Sequence, residues 1–153
     1  MPLSGDRKPR PYLQTPFNEL GGRVSPDGHW LAYVSDESDR QEVYVQSFPE
    51  PGSKRRVSTI GGIQPQWGKR GTELYYLSLD QKLMTVTVSR MGSSLELSLP
   101  RALFDAPRVP GDPTRMPYAV TADGQRFLFN AVTTDLIERG ITVGIHWPAA
   151  LKK

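Results

Sequence analysis

Apolar and polar residues alternate with period two along most of the chain. Val43 and Val45 alternate with Tyr44 and Gln46, and Met84, Val86 and Val88 with Thr85 and Thr87. That period sends successive side chains to opposite faces of a β-strand. No window shows the apolar spacing of a helix, so the chain is expected to be all-β. The strands fall into groups. The first holds Gly22–Val24, His29–Ser35, Glu42–Gln46 and Arg56–Ser58; the second holds Gln64–Trp67, Glu73–Ser78, Leu83–Val88 and Arg101–Phe104. The third holds Tyr118–Val120, Gln125–Asn130 and Ile141–His146.

The groups repeat one plan. SPDGHWLAYVS (25–35), GKRGTELYYLS (68–78) and TADGQRFLFN (121–130) each set a turn before an apolar strand. In these turns Asp27 and Asp123 can bond the backbone ahead of them, and Gly28, Gly71 and Gly124 accept positive φ. The glycines stand 43 and then 53 positions apart. Four-stranded propeller blades repeat at about 40–50 residues, with residues 106–116 expected to supply the excess in the longer interval. The expected architecture is therefore β-propeller blades of four antiparallel strands, about three per chain. Residues 1–16 form the lead-in, with a lone outer strand at PRPYLQ (9–14); 17–60, 61–105 and 106–153 form the blades. The lone strand is available to complete the last of them. Trp30, Trp67, Tyr76 and Phe127 are expected to pack between blades.

The segments SPDGHWLAYVSDES, EVYVQSFP, QPQW, ELYYLS, ADGQRFL and ITVGIHWPAALKK together resemble the repeats of TolB-type, WD-repeat-like propellers. The resemblance is greatest to the propeller that follows the kinase domain in some bacterial serine/threonine protein kinases, and it runs from about Asp6 to Lys153. It implies a sensing, scaffolding or protein-interaction role and transfers no catalytic residue. No kinase motif is present: the chain has neither a glycine-rich phosphate loop nor a catalytic-loop signature. Such propellers close with six blades, so about three per chain make half a ring. Two copies would complete it, and a homodimer is expected because an open arc would expose Trp30, Trp67 and Tyr76 on its end faces.

Composition narrows the chemistry further. Glycine and proline, 14 each in 153 residues, are spread along the chain as turn residues are in all-β proteins. Without cysteine there is no disulfide and no thiolate metal site. No stretch approaches the roughly 20 apolar residues of a membrane span. The chain is taken as cytoplasmic when expressed alone, although the resemblance allows an extracytoplasmic parent. The net charge of +3 is mild and the basic groups, such as Lys54–Arg56, are small, so they read as sheet-edge charges and not as a nucleic-acid surface.

Four candidate constellations remain. His29 and His146, the only histidines, have nothing in the sequence that brings them together. Asp36, Glu37, Asp39 and Glu42 lack the glycine-anchored spacing of a calcium loop and read as a solvated turn. The serines lie in no G-x-S-x-G elbow. Asp27 and Asp123 occupy equivalent places in their units, as structural residues do. Trp147, beside Pro148, is expected to pack the tail against the body. No cofactor or metal is expected. The reading is a binding module for a protein, a peptide or a small ligand, and the competing reading is a hydrolase using channel carboxylates and His29.

Overall fold

A computed structural model describes residues 8–91, 94–109, 115–132 and 142–144. The chain is all-β and its sheets are antiparallel. The first sheet runs in chain order through Glu19–Val24 (β1), Trp30–Ser35 (β2), Glu42–Ser47 (β3) and Lys54–Arg56 (β4). The second comprises Ile63–Gly68 (β5), Glu73–Leu77 (β6), Lys82–Met91 (β7), Ser94–Leu97 (β8) and Arg101–Asp105 (β9). The third orders Tyr118–Val120 (β10), Phe127–Phe129 (β11) and Thr142–Gly144 (β12). Among the described residues the one helical element is a single 3₁₀ turn at Lys69–Gly71, and no helix is long and apolar enough to cross a membrane.

Period two explains how the sheets stack. On β2 and β3, Trp30, Ala32, Val34, Val43 and Val45 point to one side, into a core shared with Leu74 and Tyr76 of β6. The intervening residues of β6, Tyr75 and Leu77, point the other way, into a second core with Tyr118, Phe127 and Phe129. Two consecutive tyrosines, each 2% exposed, thus belong to different cores. Burying side chains of this size contributes about 1.5–3 kcal/mol each. Rings tilt edge to face across the second core, with Tyr75 at 5.1 Å from Phe127 and Phe104 at 5.7 Å from Phe127.

The leading strands stand side by side, with β5 next to both β1 and β10. Side chains tie them together. Trp67 Nε1 donates to the Arg23 carbonyl at 2.9 Å, and the buried Tyr118 hydroxyl donates to the Gln64 carbonyl at 2.9 Å. Both β1 and β5 carry a register shift with one residue in the left-handed region, Gly21 at φ 65° and Gln64 at φ 55°. Such a bulge bends the strand and sharpens its twist.

Several expectations need correcting. Residues 9–14 form no strand, because Pro9 and Pro11 have no N–H to donate to a ladder. Instead Tyr12 packs on Phe48, at 5.4 Å between rings, and donates its hydroxyl to the Ser47 carbonyl. Residues 9–14 therefore add no strand to the third sheet. Strand β7 continues past Val88, where its predicted strand ends, and pairs with β8, for which no strand is predicted; Leu95 of β8 reaches the first core. This hairpin shares with the β9–β10 connection the extra length that had been assigned to 106–116 alone. The strand read at Arg56–Ser58 lies earlier, at Lys54–Arg56. Trp30 and Tyr76 are interior, at 5% and 2% exposure, with Trp67 packed against the same core, so none of the three forms the exposed end face expected of an open arc. His146, Trp147 and residues 110–113 lie outside the described residues.

Candidate functional site

The turns preceding β2 and β11 share one side-chain clamp. In the first, the Gly28 amide donates to the Ser25 carbonyl at 2.9 Å, the Trp30 amide to Ser25 Oγ at 3.0 Å, and the His29 amide to Asp27 Oδ1 at 3.2 Å. In the second, the Gly124 amide donates to the Thr121 carbonyl at 2.8 Å, the Arg126 amide to Thr121 Oγ1 at 3.1 Å, and the Gln125 amide to Asp123 Oδ1 at 3.0 Å. In both, the hydroxyl donates to the aspartate. Gly28 and Gly124 take the positive φ, 74° and 68°. A third clamp, at Ser78–Lys82, lies between β6 and β7. There Ser78 Oγ donates to Asp80 Oδ1 at 2.6 Å and accepts from the Lys82 amide at 3.0 Å. Gln81, at φ 62°, holds the left-handed place usually given to glycine.

These carboxyls are held below the ordinary aspartate value. For Asp27 burial alone acts upward, and the Ser25 hydroxyl, the His29 amide and the charges of His29 and Arg90 outweigh it. At Asp123 the Thr121 hydroxyl and the Gln125 amide are the causes, and at Asp80 the hydrogen bonds from Lys82 and Ser78. A depressed folded-state pKa contributes stability above the unfolded value that is lost as pH falls through the folded one. Stability is therefore expected to decline as pH drops below about 4, and a triple variant D27N/D80N/D123N should show a shallower decline. Urea midpoints measured against pH decide this, and an unchanged slope in the triple variant would remove these three carboxyls from the acid response.

The turns before β2, β6 and β11 gather along one end of the stack, and the Ser78–Lys82 clamp lies at the other. A Cβ placed on Gly71, at φ 92°, would lie 3.4 Å from Pro26 Cδ, so the β5–β6 turn rests on the 25–28 turn. Arg90 approaches Asp27 at 3.8 Å there. Beside the 121–125 turn is a cleft of about 120 Å³ lined by Glu73, Tyr75, Thr85, Arg101, Gly124 and Gln125, with Leu103 and Phe127 as its apolar floor. The Tyr75 hydroxyl donates to Glu73 Oε2 within it. Burial, that bond and the Glu73 charge push the phenol upward, so Tyr75 stays protonated and acts as a hydrogen-bond donor. The cleft is smaller than the roughly 300–1,000 Å³ of small-molecule sites and suits a single side chain of a partner.

The remaining candidates separate. His29 is exposed, and the carboxylate beside it, Asp27, is already engaged by Ser25 and by the His29 amide. The acidic run divides among four partners: Asp36 accepts from the Asn18 amide at 2.9 Å and from Asn18 Nδ2 at 2.6 Å, and Glu37 pairs with Lys54 at 2.6 Å. Asp39 closes the turn at φ 65°, and Glu42 is withdrawn into the interior. There Glu42 is 0% exposed, accepts from Arg40 Nε at 2.7 Å and takes the Ser58 hydroxyl. The sequence reading had put it on a solvated turn; strand β3 begins at this residue, which carries it inward. Among the described residues no three metal-ligating side chains come together. Gln64 was also missed: its Nε2 donates to the Arg115 carbonyl at 2.8 Å, while its buried Oε1 has no partner among the described residues. The chain matches no protein-family model and no curated protein.

Proposed function

We propose that this chain is a non-catalytic binding or scaffolding module made of TolB-type propeller blades, about three per chain. The observation that carries the reading is the handover of faces. The first sheet gives the second its Trp30–Ala32–Val34 side, and the second gives the third its Tyr75–Leu77 side. Adjacent leading strands β1, β5 and β10 and the clamp shared by the turns at one end support it too. Blades packed face to face around an axis have this relation, and their loops then form a shallow surface for partners.

The two ends of the stack differ. On the first sheet, Tyr33 and Tyr44 stack at 5.9 Å and are already covered, and burial together with Glu37, Glu19 and Tyr12 raises the Tyr33 phenol. On the third sheet, Leu128 faces outward at 39% exposure beside Ala119, with Val132 nearby at 49%. A second copy laying the outer side of its first sheet, above the covered Tyr33–Tyr44 pair, on this row would bury it, and two such contacts close a six-bladed ring. Light scattering coupled to size exclusion at micromolar concentration is expected to give the mass of two chains, against 17.1 kDa for one. Leu128→Arg should return the mass to a single chain. A wild-type mass of one chain overturns the paired ring.

A further inference from the structure

Among the described residues two sheet edges face each other across one groove with no further strand on either. Strand β4 pairs with β3 alone, and β8 pairs with β7 alone, among the described residues. The Val57 amide bonds the Val43 carbonyl at 2.8 Å and the Ser47 amide bonds the Ser53 carbonyl at 3.1 Å. In an antiparallel ladder these bonded pairs alternate, so Arg55 turns its backbone groups toward β3 while Lys54 and Arg56 turn theirs outward. The Ser98 amide bonds the Thr87 carbonyl at 3.0 Å, and the same alternation leaves the backbone groups of Leu95 and Leu97 outward on β8. Between the two edges runs a groove of about 350 Å³, lined by Arg55, Arg56, Leu95, Glu96 and Leu97.

The groove sets two arginines against one carboxylate, Glu96, so its balance is basic. Lys54 is held by Glu37 and lies over the Tyr44 ring at 5.3 Å, whereas the side chains of Arg55 and Arg56 have no partner among the described residues. Both are exposed, and they project to opposite faces of β4, because Arg55 is in register with Val45 and Arg56 with Tyr44. A strand added to this edge therefore meets a guanidinium on each face. Basic residues on an edge also discourage pairing between copies of the chain, and the same charges favour an acidic strand.

We propose that the β4 edge and its groove bind an extended acidic peptide segment by strand addition. Its main chain pairs with the outward groups of Lys54 and Arg56, its carboxylates meet Arg55 and Arg56, and an aliphatic side chain rests on Leu97. The inference depends on the sheet edge and not on ring closure, so it is testable in a monomer or a dimer. The probe is a capped heptapeptide alternating glutamate and valine, followed by the amide shifts of residues 54–56 and 94–97 and by calorimetry. Binding in the micromolar range is expected, with no binding of the matching lysine–valine peptide. R55E/R56E should weaken binding by about tenfold or more while keeping the wild-type melting curve. N-methylation of alternate peptide amides should abolish it on the face that pairs. Three results would each overturn the proposal: no binding at millimolar peptide, binding indifferent to R55E/R56E, or equal binding of both N-methylated isomers. A single-stranded oligonucleotide that binds these arginines where the peptide fails would overturn it as well.

Discussion

Glu42→Ala is expected to destabilise the chain by about 2–4 kcal/mol, one of the largest losses from a single substitution outside the apolar cores. The carboxylate is wholly buried, yet both oxygens are used: Arg40 donates to Oε1 and Ser58 to Oε2. Ser58 in turn accepts from the Val43 amide at 2.7 Å, and Arg40 Nη2 donates to the Thr59 carbonyl at 3.1 Å. One acidic side chain thus fastens the start of β3 to the segment that follows β4. Its charge also reaches Tyr76, whose phenol burial and Glu42 together push up to about 12. Truncation leaves a polar cavity at the sheet margin and frees Ser58 from its acceptor. Arg40 is 49% exposed and can return to water, so the loss falls on Glu42 itself. Arg40→Ala has the opposite consequence, leaving a buried charge with a hydroxyl as its companion, and should cost a similar amount. The pair R40A/E42L removes the charge altogether and should lose less than the two single changes combined. Urea midpoints on the four proteins test this, and a loss under about 0.5 kcal/mol for Glu42→Ala would refute the assigned role.

Gly68→Ala is expected to cost about 3 kcal/mol, more than Gly28→Ala, although only Gly28 has positive φ. A Cβ on Gly68 would stand 2.3 Å from Tyr75 Cε2 and 3.1 Å from Cδ2. The ring has little freedom to retreat: it is 2% exposed, bonded to Glu73 at its hydroxyl and packed on Phe127 at its edge. At Gly28 a Cβ would meet nothing within 4 Å, leaving only the left-handed backbone to oppose alanine, about 1–2 kcal/mol. Thermal melts of the two variants should therefore place Gly68→Ala below Gly28→Ala, and the reverse order would mean that backbone conformation outweighs packing here.

What could be read from the residues follows the range of the interactions. The 25–28 and 121–124 turns depend on contacts within five positions, and Pro26, Asp27, Gly28, Asp123 and Gly124 announce them. Strands β3 and β6 show in their alternation. The clamp at Ser78–Lys82 escaped notice because Gln81 stands where a glycine would signal the turn. Strand β8 is four residues long, and its Leu95 and Leu97 acquire meaning only when β7 extends far enough to pair with them. PRPYLQ has apolar members in strand-like order, but prolines block the ladder and Tyr12 finds Phe48, 36 positions away, instead. Glu42 and Gly68 depend on partners supplied by folding, a hydroxyl 16 positions on and a ring across a hairpin. The cleft at Glu73 and Arg101 likewise joins segments far apart in the chain.

Strand β6 has no side facing water. Leu74 and Tyr76 serve one core and Tyr75 and Leu77 the other, so gaining or losing one residue there would exchange the two sets and spoil both walls together. A change of length is therefore tolerated in the connections and not in the middle strands. The two intervals of this chain follow that rule: its 43- and 53-residue spacings share the face-buried strands, and the longer one has a shorter β6–β7 turn, an added β7–β8 pair and a longer run after β9. The rim of the stack is where this chain carries its extra surface, while β2 and β6, strands that hold the sheets together, are alike in length.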